Sequence, residues 1–309
     1  MAKKYLVTGV AGFIGSSVAR RLINLGHEVW TIDNLSTGYL ENIPEGTTFI
    51  KGNCHDQLIV NMLGDIRFDA ILHIAGQSSG EISFANPIHD LRTNTESTLL
   101  LMKHALKIGC TRFIYASSMS VYGKVEDAPI GESHECQPLS FYGVGKLASE
   151  NYMRIYQSLG IDPTALRLFN VYGPGQNMNN LKQGMVSIYL SYLLKDEILL
   201  VKGSMERFRD FIYIDDVVDA FLICLKNSRS IGKVYNVGSG RKVKVNELID
   251  ALQKSSGISK PVKYEEGTPG DQAGIYADVS KIKDDLGYES QWSLEKGLNR
   301  MIEWARGNP

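Results

Sequence analysis

The stretch that decides the fold is KKYLVTGVAGFIG, residues 3–15. Its first six residues have the apolar pattern of a buried strand, and apolar residues at helical spacing, such as Val18 and Leu22, follow the stretch. Glycines at GxxGxxG spacing lie between these two elements. A glycine-rich turn between a strand and a helix lets a pyrophosphate approach backbone N–H groups at the positive end of the helix. We therefore predict a dinucleotide-binding turn, with a purely structural turn as the alternative.

A second predicted strand, residues 28–32, ends at Asp33. A carboxylate at that position can accept hydrogen bonds from both hydroxyls of an adenosine ribose, and it would repel a 2′-phosphate. The order of strand, turn, helix, strand and acid therefore predicts NAD rather than NADP as the cofactor.

Composition limits the class of protein. The chain has 309 residues, 43% hydrophobic and 22% charged, which is enough for a substantial core and two lobes. Its net charge of −1 leads us to expect neither nucleic acid nor a membrane as a partner. There is no apolar run near 18 residues, no signal peptide pattern and no metal-ligand or disulfide spacing among the scattered cysteines. We expect a cytoplasmic protein without a metal site.

Predicted strands and helices alternate through the first 170 residues. This rhythm predicts an α/β fold with a doubly wound parallel sheet, the Rossmann arrangement. We assign residues 1–170 to an NAD-binding domain and residues 171–309 to a smaller C-terminal α/β substrate-binding lobe. One or two segments of the second part, near residues 211–214 and 234–237, are expected to return to the main sheet.

In such sheets ligands bind beyond the carboxyl ends of the strands. The motifs of this chain fall at those ends. The glycine turn follows the first predicted strand and Asp33 the second, while Ala75-Gly76 and Ser117-Ser118 follow the fourth and fifth. We therefore expect all of them in one site.

Tyr142 and Lys146 form the pair Tyr-x-x-x-Lys. On a helix, residues i and i+4 share a face, so the phenol and the ammonium can approach one point. A nearby ammonium favours the phenolate, and a base working near neutrality needs a pKa well below the usual tyrosine value of about 10. Alone, such a pair is common on surface helices, so its weight comes from the rest of the chain.

Two predicted helices, residues 86–108 and 142–159, carry more apolar residues than one buried face requires. Either both pack only on the sheet, or they also pair with a second subunit in a four-helix contact. We favour the homodimer.

Further motifs extend over nearly the whole chain and are highly specific together. They are TGVAGFIG (8–15), DNL (33–35), HIAGQ (73–77), SSMSVYG (117–123), the Tyr142/Lys146 pair, RLFNVYGPG (167–175) and RDFIYIDDV (209–217). On these motifs the chain resembles the extended short-chain dehydrogenases/reductases of the NAD-dependent nucleotide-sugar epimerase/dehydratase family, and is most similar to the UDP-glucose 4-epimerase group. The motifs are less specific for the substrate.

The resemblance implies three catalytic residues. Ser118 would hold the substrate oxygen, Tyr142 would be the acid/base, and Lys146 would activate Tyr142 and bind a ribose. The residues implied to bind NAD are Gly9, Gly12, Phe13, Ile14, Asp33, Asn34, Thr37, Gly38, Asn53, Cys54, Ile74, Ala75, Gly76, Asn94, Tyr142 and Lys146. Those implied to bind the nucleotide-diphospho-sugar are Ser78, Ser118, Asn170, Arg209 and Asp271.

Some of these residues have simpler explanations. Ser118 could only cap a strand end, Asn170 could stabilise a turn, and Arg209 could form a surface ion pair. An arginine nevertheless suits a phosphate, because its fork donates two charge-assisted hydrogen bonds.

Departures from the family pattern narrow the chemistry. Relatives that dehydrate the sugar carry an Asp-Glu pair where this chain has Met119 and Ser120. Neither residue is the acid/base needed to remove water, to assist decarboxylation or to carry a second proton for C3 or C5 epimerisation. By elimination, hydride and proton transfer at a single carbinol remains.

Two other departures concern binding. Thr268 stands where relatives often have a phosphate-binding arginine before Pro-Gly-Asp, which leaves the nucleotide open. Asn53 stands where an aspartate would face adenine, but its amide oxygen can still accept a hydrogen bond, so we expect NAD to be retained.

Three hypotheses follow. The leading one is a nucleotide-sugar C4 epimerase that passes through a transient 4-keto sugar. The second is a C4 dehydrogenase or ketoreductase that uses the same residues for net oxidation or reduction. The third is a non-catalytic nucleotide sensor on the same fold, which the presence of Ser118, Tyr142 and Lys146 disfavours.

Overall fold

A computed structural model describes residues 2–195, 198–267 and 273–307. In chain order its strands are β1 (Lys4–Thr8), β2 (Glu28–Asp33), β3 (Thr47–Lys51), β4 (Ala70–His73), β5 (Arg112–Ser118), β6 (Asp162–Leu168), β7 (Asn170–Tyr172), β8 (Leu199–Lys202), β9 (Phe208–Arg209), β10 (Phe211–Tyr213), β11 (Lys233–Val237), β12 (Val243–Lys244) and β13 (Val262–Glu265). The helices are α1 (Phe13–Asn24), α2 (Gln57–Asn61), α3 (Gly80–Ala85), α4 (Pro87–Leu91), α5 (Ser97–Ile108), α6 (Phe141–Gln157), α7 (Met185–Leu194), α8 (Ile214–Lys226), α9 (Val245–Ser256), α10 (Ser280–Leu286) and α11 (Leu294–Gly307).

The main sheet has seven strands in the order β3-β2-β1-β4-β5-β6-β11. Every neighbouring pair in it is parallel. The order reverses between β1 and β4, and such a switch point opens a crevice at the carboxyl ends of the strands. The predicted doubly wound α/β fold is confirmed.

The central strands are apolar because both faces of the sheet are covered. Along β1, Tyr5 and Val7 belong to one buried cluster, with residues of α1 and α8. Leu6, between them, points to the other face and packs in a second cluster that includes Leu101 and Phe113. This alternation gives each face its own core and holds the strand ends in a rigid frame.

The region predicted as one helix, 86–108, is divided in the structure. Asn86 caps α4 by accepting a hydrogen bond from the His89 N–H at 3.2 Å, with Pro87 at the first helical position. A π-helical turn, Arg92–Glu96, then leads into α5. The sequence analysis did not predict α3, which is six residues long and begins after Ser79.

In the C-terminal part, β11 lies beside β6 at the edge of the main sheet. β10 instead pairs in parallel with β7, in a separate two-stranded sheet. A second parallel pair joins β8 and β13, and its apolar residues pack in one cluster with those of α7 and α9. Within the described residues, no helix is long and apolar enough to cross a membrane.

A buried ion pair fastens α6 to the sheet. Arg167 of β6 and Glu150 of α6 approach to 2.7 Å, and each side chain is only 6% exposed. Glu150 also accepts hydrogen bonds from the Arg167 Nε at 3.0 Å and from the Ser117 hydroxyl at 2.5 Å. The pair therefore positions the helix that carries Tyr142 and Lys146.

We expect Glu150→Gln to lower the free energy of unfolding by roughly 3 kcal/mol, because it leaves the Arg167 charge buried without a counter-charge. Urea denaturation would measure this. The matched control is Glu303→Gln in the exposed Arg300–Glu303 pair, whose side chains are 62% and 72% exposed. That change should cost less than about 1 kcal/mol. Equal losses in the two variants would contradict the importance of the buried pair.

Candidate functional site

A cavity of about 820 Å³ lies at the carboxyl ends of the strands, between the sheet and the C-terminal lobe. Most residues that the sequence analysis singled out line it. They are Gly9, Gly12, Phe13, Ile14, Asp33, Asn34, Thr37, Gly38, Asn53, Cys54, Ile74, Ala75, Gly76, Ser78, Ser118, Tyr142, Lys146, Asn170 and Arg209. The fold thus brings together residues that are up to 200 positions apart in the chain.

The glycine turn needs its glycines for close packing. Gly9 has a φ of +77°, and a Cβ there would lie 2.9 Å from the backbone of Ala75. A Cβ at Gly15 would overlap the Gly9 carbonyl oxygen. Gly12 precedes α1 in an extended conformation, so the first N–H groups of the helix border the cavity. This cradle fits a pyrophosphate.

Asp33 lies at the end of β2 and is 8% exposed. Its two carboxylate oxygens accept hydrogen bonds from the backbone N–H groups of Ala11 and Leu35 at 2.9 and 2.8 Å, which fixes the carboxylate at the cavity edge. The Asn53 side-chain oxygen accepts a hydrogen bond from Asn34 at 2.7 Å. It keeps a second lone pair for another donor, such as an adenine amino group.

A buried network that the sequence analysis missed shapes the end of β4. The Thr8 hydroxyl accepts hydrogen bonds from the backbone N–H groups of Ile74 and Ala75, both at 3.1 Å, and lies 2.8 Å from His73 Nδ1. His73 Nε2 lies 3.0 Å from the Ser97 hydroxyl. Burial lowers the pKa of His73 to about 3, so its ring is neutral. The network holds the backbone that lines the cavity.

Ser118, Tyr142 and Lys146 converge on one side of the cavity. Lys146 donates a hydrogen bond to the Ala116 carbonyl oxygen at 2.9 Å, and its Nζ lies 5.7 Å from the centre of the Tyr142 ring. Ser118 ends β5, and its hydroxyl donates to the Ser120 hydroxyl at 3.2 Å, while its proximity to the Tyr142 phenol favours the phenolate by lowering the pKa of Tyr142. This arrangement can bind an oxygen and move a proton at the same point.

Burial dominates the electrostatics of this pair. It raises the pKa of Tyr142 to about 12, and the neighbouring Ser118 hydroxyl opposes that rise. Burial also lowers the pKa of Lys146 to about 8, against the influence of the carboxylates of Asp90 and then Glu150. A phenolate therefore needs nearby positive charge, and the Lys146 ammonium needs nearby negative charge.

Three predicted substrate residues also line the cavity. The Asn170 amide donates to the Asp210 carbonyl oxygen at 3.0 Å, and its nitrogen lies 3.6 Å from Met119 Sδ. Arg209 is 5% exposed, and burial together with the charge of Arg207 lowers its pKa to about 10. Ser78 accepts a hydrogen bond from Gln183 at 2.6 Å.

One predicted site residue among those that the structure describes, Asn94, is absent from the cavity wall. Asn94, expected to bind the cofactor, is fully buried behind Gly76, and its Oδ1 takes the space that a Cβ of Gly76 would need. Its role in binding the cofactor therefore stays a prediction. Asp271, like Thr268, lies outside the described residues.

Contacts across the mouth of the cavity were also missed. Besides the Gln183–Ser78 bond, the Ser79 hydroxyl donates to the Lys182 carbonyl oxygen at 3.3 Å, and Lys202 lies 3.7 Å from Glu81. The sequence analysis did not single out this role for residues 182–183. The sequence of a polar loop does not predict which distant loop it will contact, so these hydrogen bonds are known only from the fold.

Comparisons with known proteins agree with this geometry. Residues 5–238 match the family model of the NAD-dependent epimerase/dehydratase family. The UDP-glucose 4-epimerase of Mycolicibacterium smegmatis is 32% identical over 97% of this chain and 98% of its own. The Thermotoga maritima UDP-glucose 4-epimerase, solved with UDP-glucose, superposes with a TM-score of 0.95 at 35% identity, covering 98% of this chain and 99% of its own. The Thermus thermophilus UDP-glucose 4-epimerase, solved with NAD, has a TM-score of 0.94 at 29% identity, covering 99% and 100%. The chain belongs to the NAD-dependent epimerase/dehydratase family.

Proposed function

We propose that this NAD-dependent nucleotide-sugar 4-epimerase acts on a UDP-hexose, inverting C4 through a transient 4-keto sugar. The observation that carries the proposal is the convergence of Ser118, Tyr142 and Lys146 in one cavity with the glycine turn. The choice of uridine is supported by the UDP-glucose 4-epimerases to which the chain is similar. Epimerisation is favoured over net redox at C4 because these relatives are epimerases.

The cofactor site fits NAD. The N–H groups at the start of α1 would hold the pyrophosphate, and Asp33 with Asn34, Thr37 and Gly38 would surround the adenosine ribose and its phosphate. Gly9, Gly12, Phe13, Ile14, Asn53, Cys54, Ile74, Ala75 and Gly76 complete this wall. When bound there, NAD would supply the hydride acceptor and donor that inversion at C4 requires.

The chain's own residues supply the proton chemistry. Tyr142, as phenolate, takes the proton of the 4-hydroxyl and later gives it back, while the Ser118 hydroxyl holds the same oxygen. The Lys146 ammonium stabilises the phenolate, which burial alone would disfavour. Ser78, Asn170, Arg209 and Asp271 would bind the nucleotide-diphospho-sugar, with the Arg209 fork on the diphosphate. Met119 and Ser120 cannot assist dehydration.

The test is incubation of the purified protein with UDP-, GDP-, CDP- and dTDP-hexoses, following proton NMR of the sugar and absorbance at 340 nm together. We expect a C4 epimer from a UDP-hexose and no lasting absorbance. A stable absorbance with a released 4-keto sugar would instead support the C4 dehydrogenase. Turnover of another nucleotide alone would reject uridine.

In the same assay, Tyr142→Phe should reduce turnover by at least about 10³-fold, because the variant lacks the proton that must be exchanged. NAD binding should remain. The matched control is Tyr152→Phe on the same helix, where Tyr152 is 37% exposed and should tolerate the change. Full activity of Tyr142→Phe would rule out Tyr142 as the acid/base.

We also propose a homodimer through the segment 86–108, which comprises α4 and α5, and through α6 of both subunits. An exposed apolar stripe runs along α6 at helical spacing, with Phe141, Val144 and Ile155 exposed by 47%, 52% and 54%. Ile88 and Leu91, which precede α5, are 63% and 54% exposed on the neighbouring segment. A continuous apolar surface of this kind typically marks a protein interface, and a two-fold axis would place four helices together.

Replacing both Val144 and Ile155 with Asp should convert the dimer to a monomer, because charges would be buried in the contact. Light scattering after size-exclusion chromatography would show the mass. The control Ile198→Asp changes an exposed apolar residue of the C-terminal lobe, 58% exposed, and should leave the dimer intact. A wild-type monomer at micromolar concentration would overturn the proposal.

A cytoplasmic location is the last part of the proposal. Cys54, Cys110, Cys136 and Cys224 are free thiols, as is usual in a reducing compartment. Recovery of the native protein from a secreted or membrane fraction would contradict this location.

A further inference from the structure

Asp90 is a buried carboxylate that the proposed mechanism does not use. It lies on α4, is 1% exposed, and does not line the cavity. Its Oδ1 accepts hydrogen bonds from the side-chain amides of Gln77 at 2.7 Å and Asn94 at 3.1 Å. Its Oδ2 is buried, with no hydrogen-bond partner in the part of the chain that the structure describes. A carboxylate in this environment needs compensation from a cation.

Asp90 packs against α6, the helix that carries Lys146, beside Gly145. Gly145 directly precedes Lys146, and a Cβ there would lie 3.4 Å from Asp90 Oδ2 and 3.2 Å from Thr95 Oγ1. Thr95 also donates a hydrogen bond to the Gly145 carbonyl oxygen at 3.2 Å. The π-helical turn that follows α4 contains Thr95, and such turns often occur at functional sites. Of the two approaches only that of Thr95 is tight, and Asp90 Oδ2 lies at ordinary contact distance from the backbone position that precedes Lys146.

The other groups around Lys146 leave this role to Asp90. Glu150, on the same helix, is engaged by Arg167 at 2.7 Å. His73 of β4 is neutral, since burial lowers its pKa to about 3. From β5, the Tyr115 ring centre lies 4.7 Å from Lys146 Nζ, and burial keeps that phenol protonated by raising its pKa.

Two more neighbours complete the electrostatic surroundings. Tyr142 faces Lys146 from α6, and Asp90 disfavours the Tyr142 phenolate slightly. Burial raises the pKa of Asp90, whereas the Lys146 ammonium and, less strongly, His89 next to it in the chain favour its carboxylate. Among the described residues, the hydrogen bonds to Asp90 come from neutral amides, so its charge remains available to Lys146.

We propose that Asp90 is a positioning residue whose buried carboxylate keeps Lys146 in its ammonium form beside Tyr142. The inference rests on the proposed function, because it assigns Asp90 a part in the same proton chemistry. Asp90 acts through Lys146 and does not touch the substrate. Its hydrogen bond to Gln77 also supports the loop of Ser78, since Gln77 in turn donates to the Ser79 carbonyl oxygen at 2.8 Å.

The sign of the pH effect follows from the charges. Asp90 raises the pKa of Lys146 against the effect of burial, so removing its charge lowers that pKa below about 8. Activity that needs the ammonium is then lost at a lower pH. Removing the charge also favours the Tyr142 phenolate. However, the effect of Asp90 on the pKa of Tyr142 is weaker than those of burial and Ser118, whereas its effect on the pKa of Lys146 is stronger than that of Glu150. The alkaline limb should therefore move more than the acid limb.

The experiment compares the pH profiles of kcat/KM for UDP-hexose epimerisation in the wild type and in Asp90→Asn. We expect the alkaline limb to move down by about one pH unit, with roughly a tenfold loss of kcat/KM above it. Asp65→Asn removes an equal charge from an exposed site, 87% exposed, and should keep the wild-type profile. Asp90→Ser serves the same purpose as Asp90→Asn if the latter does not fold.

Gln77→Ala distinguishes the effect of the Asp90 charge from the effect of the hydrogen bond that Asp90 accepts from Gln77. It removes the hydrogen bond but keeps the carboxylate, so it should raise KM without moving the alkaline limb. An active wild type whose limb is unchanged in both Asp90 variants overturns the inference alone. A wild type without epimerase activity overturns the proposed function, and the inference with it.

Discussion

The burial of one ammonium, that of Lys146, is the constraint on which the site depends. An ammonium removed from water loses most of its solvation, so its surroundings must replace water or the group becomes neutral. Here the Ala116 carbonyl oxygen accepts a hydrogen bond from it, and the face of Tyr115 lies 4.7 Å from its nitrogen. The carboxylate of Asp90 adds negative charge from the neighbouring helix. The packing of α4 against α6 is thus part of the electrostatics of the site.

The sheet provides the rigid frame for this arrangement. Because all seven strands are parallel, their carboxyl ends meet at one edge, and the reversal of order between β1 and β4 opens the crevice there. Close backbone contacts, such as Gly9 against Ala75, keep that edge narrow. The Arg167–Glu150 pair attaches α6 to β6 on the same side of the molecule. Catalytic geometry and fold stability therefore depend on the same contacts.

The C-terminal lobe closes the site through its loops. Gln183 reaches Ser78 across the cavity mouth, and Asn177 donates a hydrogen bond to the Thr37 carbonyl oxygen at 3.3 Å near the other end. Both contacts join the lobe to loops that follow strands of the main sheet. The proposed substrate would lie under these contacts, while the proposed cofactor would lie along the sheet edge. The sheet edge is thus distinct from the wall formed by residues that follow β6, and side chains of that wall would select the proposed sugar.

The sequence by itself determined the parallel α/β fold, the glycine turn, Asp33 and the Ser118, Tyr142 and Lys146 group. The fold, the turn, Asp33 and the Tyr142/Lys146 pair depend on local periodicity and spacing, which the chain carries directly, whereas the role of Ser118 was implied by the resemblance to the family. Only the tertiary structure decided the partners of those residues. Asp90 meets Gly145 across two helices, Thr8 meets His73 across two strands, and the Asn94 side chain packs against Gly76. Such contacts join residues distant in the chain, so they depend on how the helices and strands pack, and local pattern holds no record of that packing.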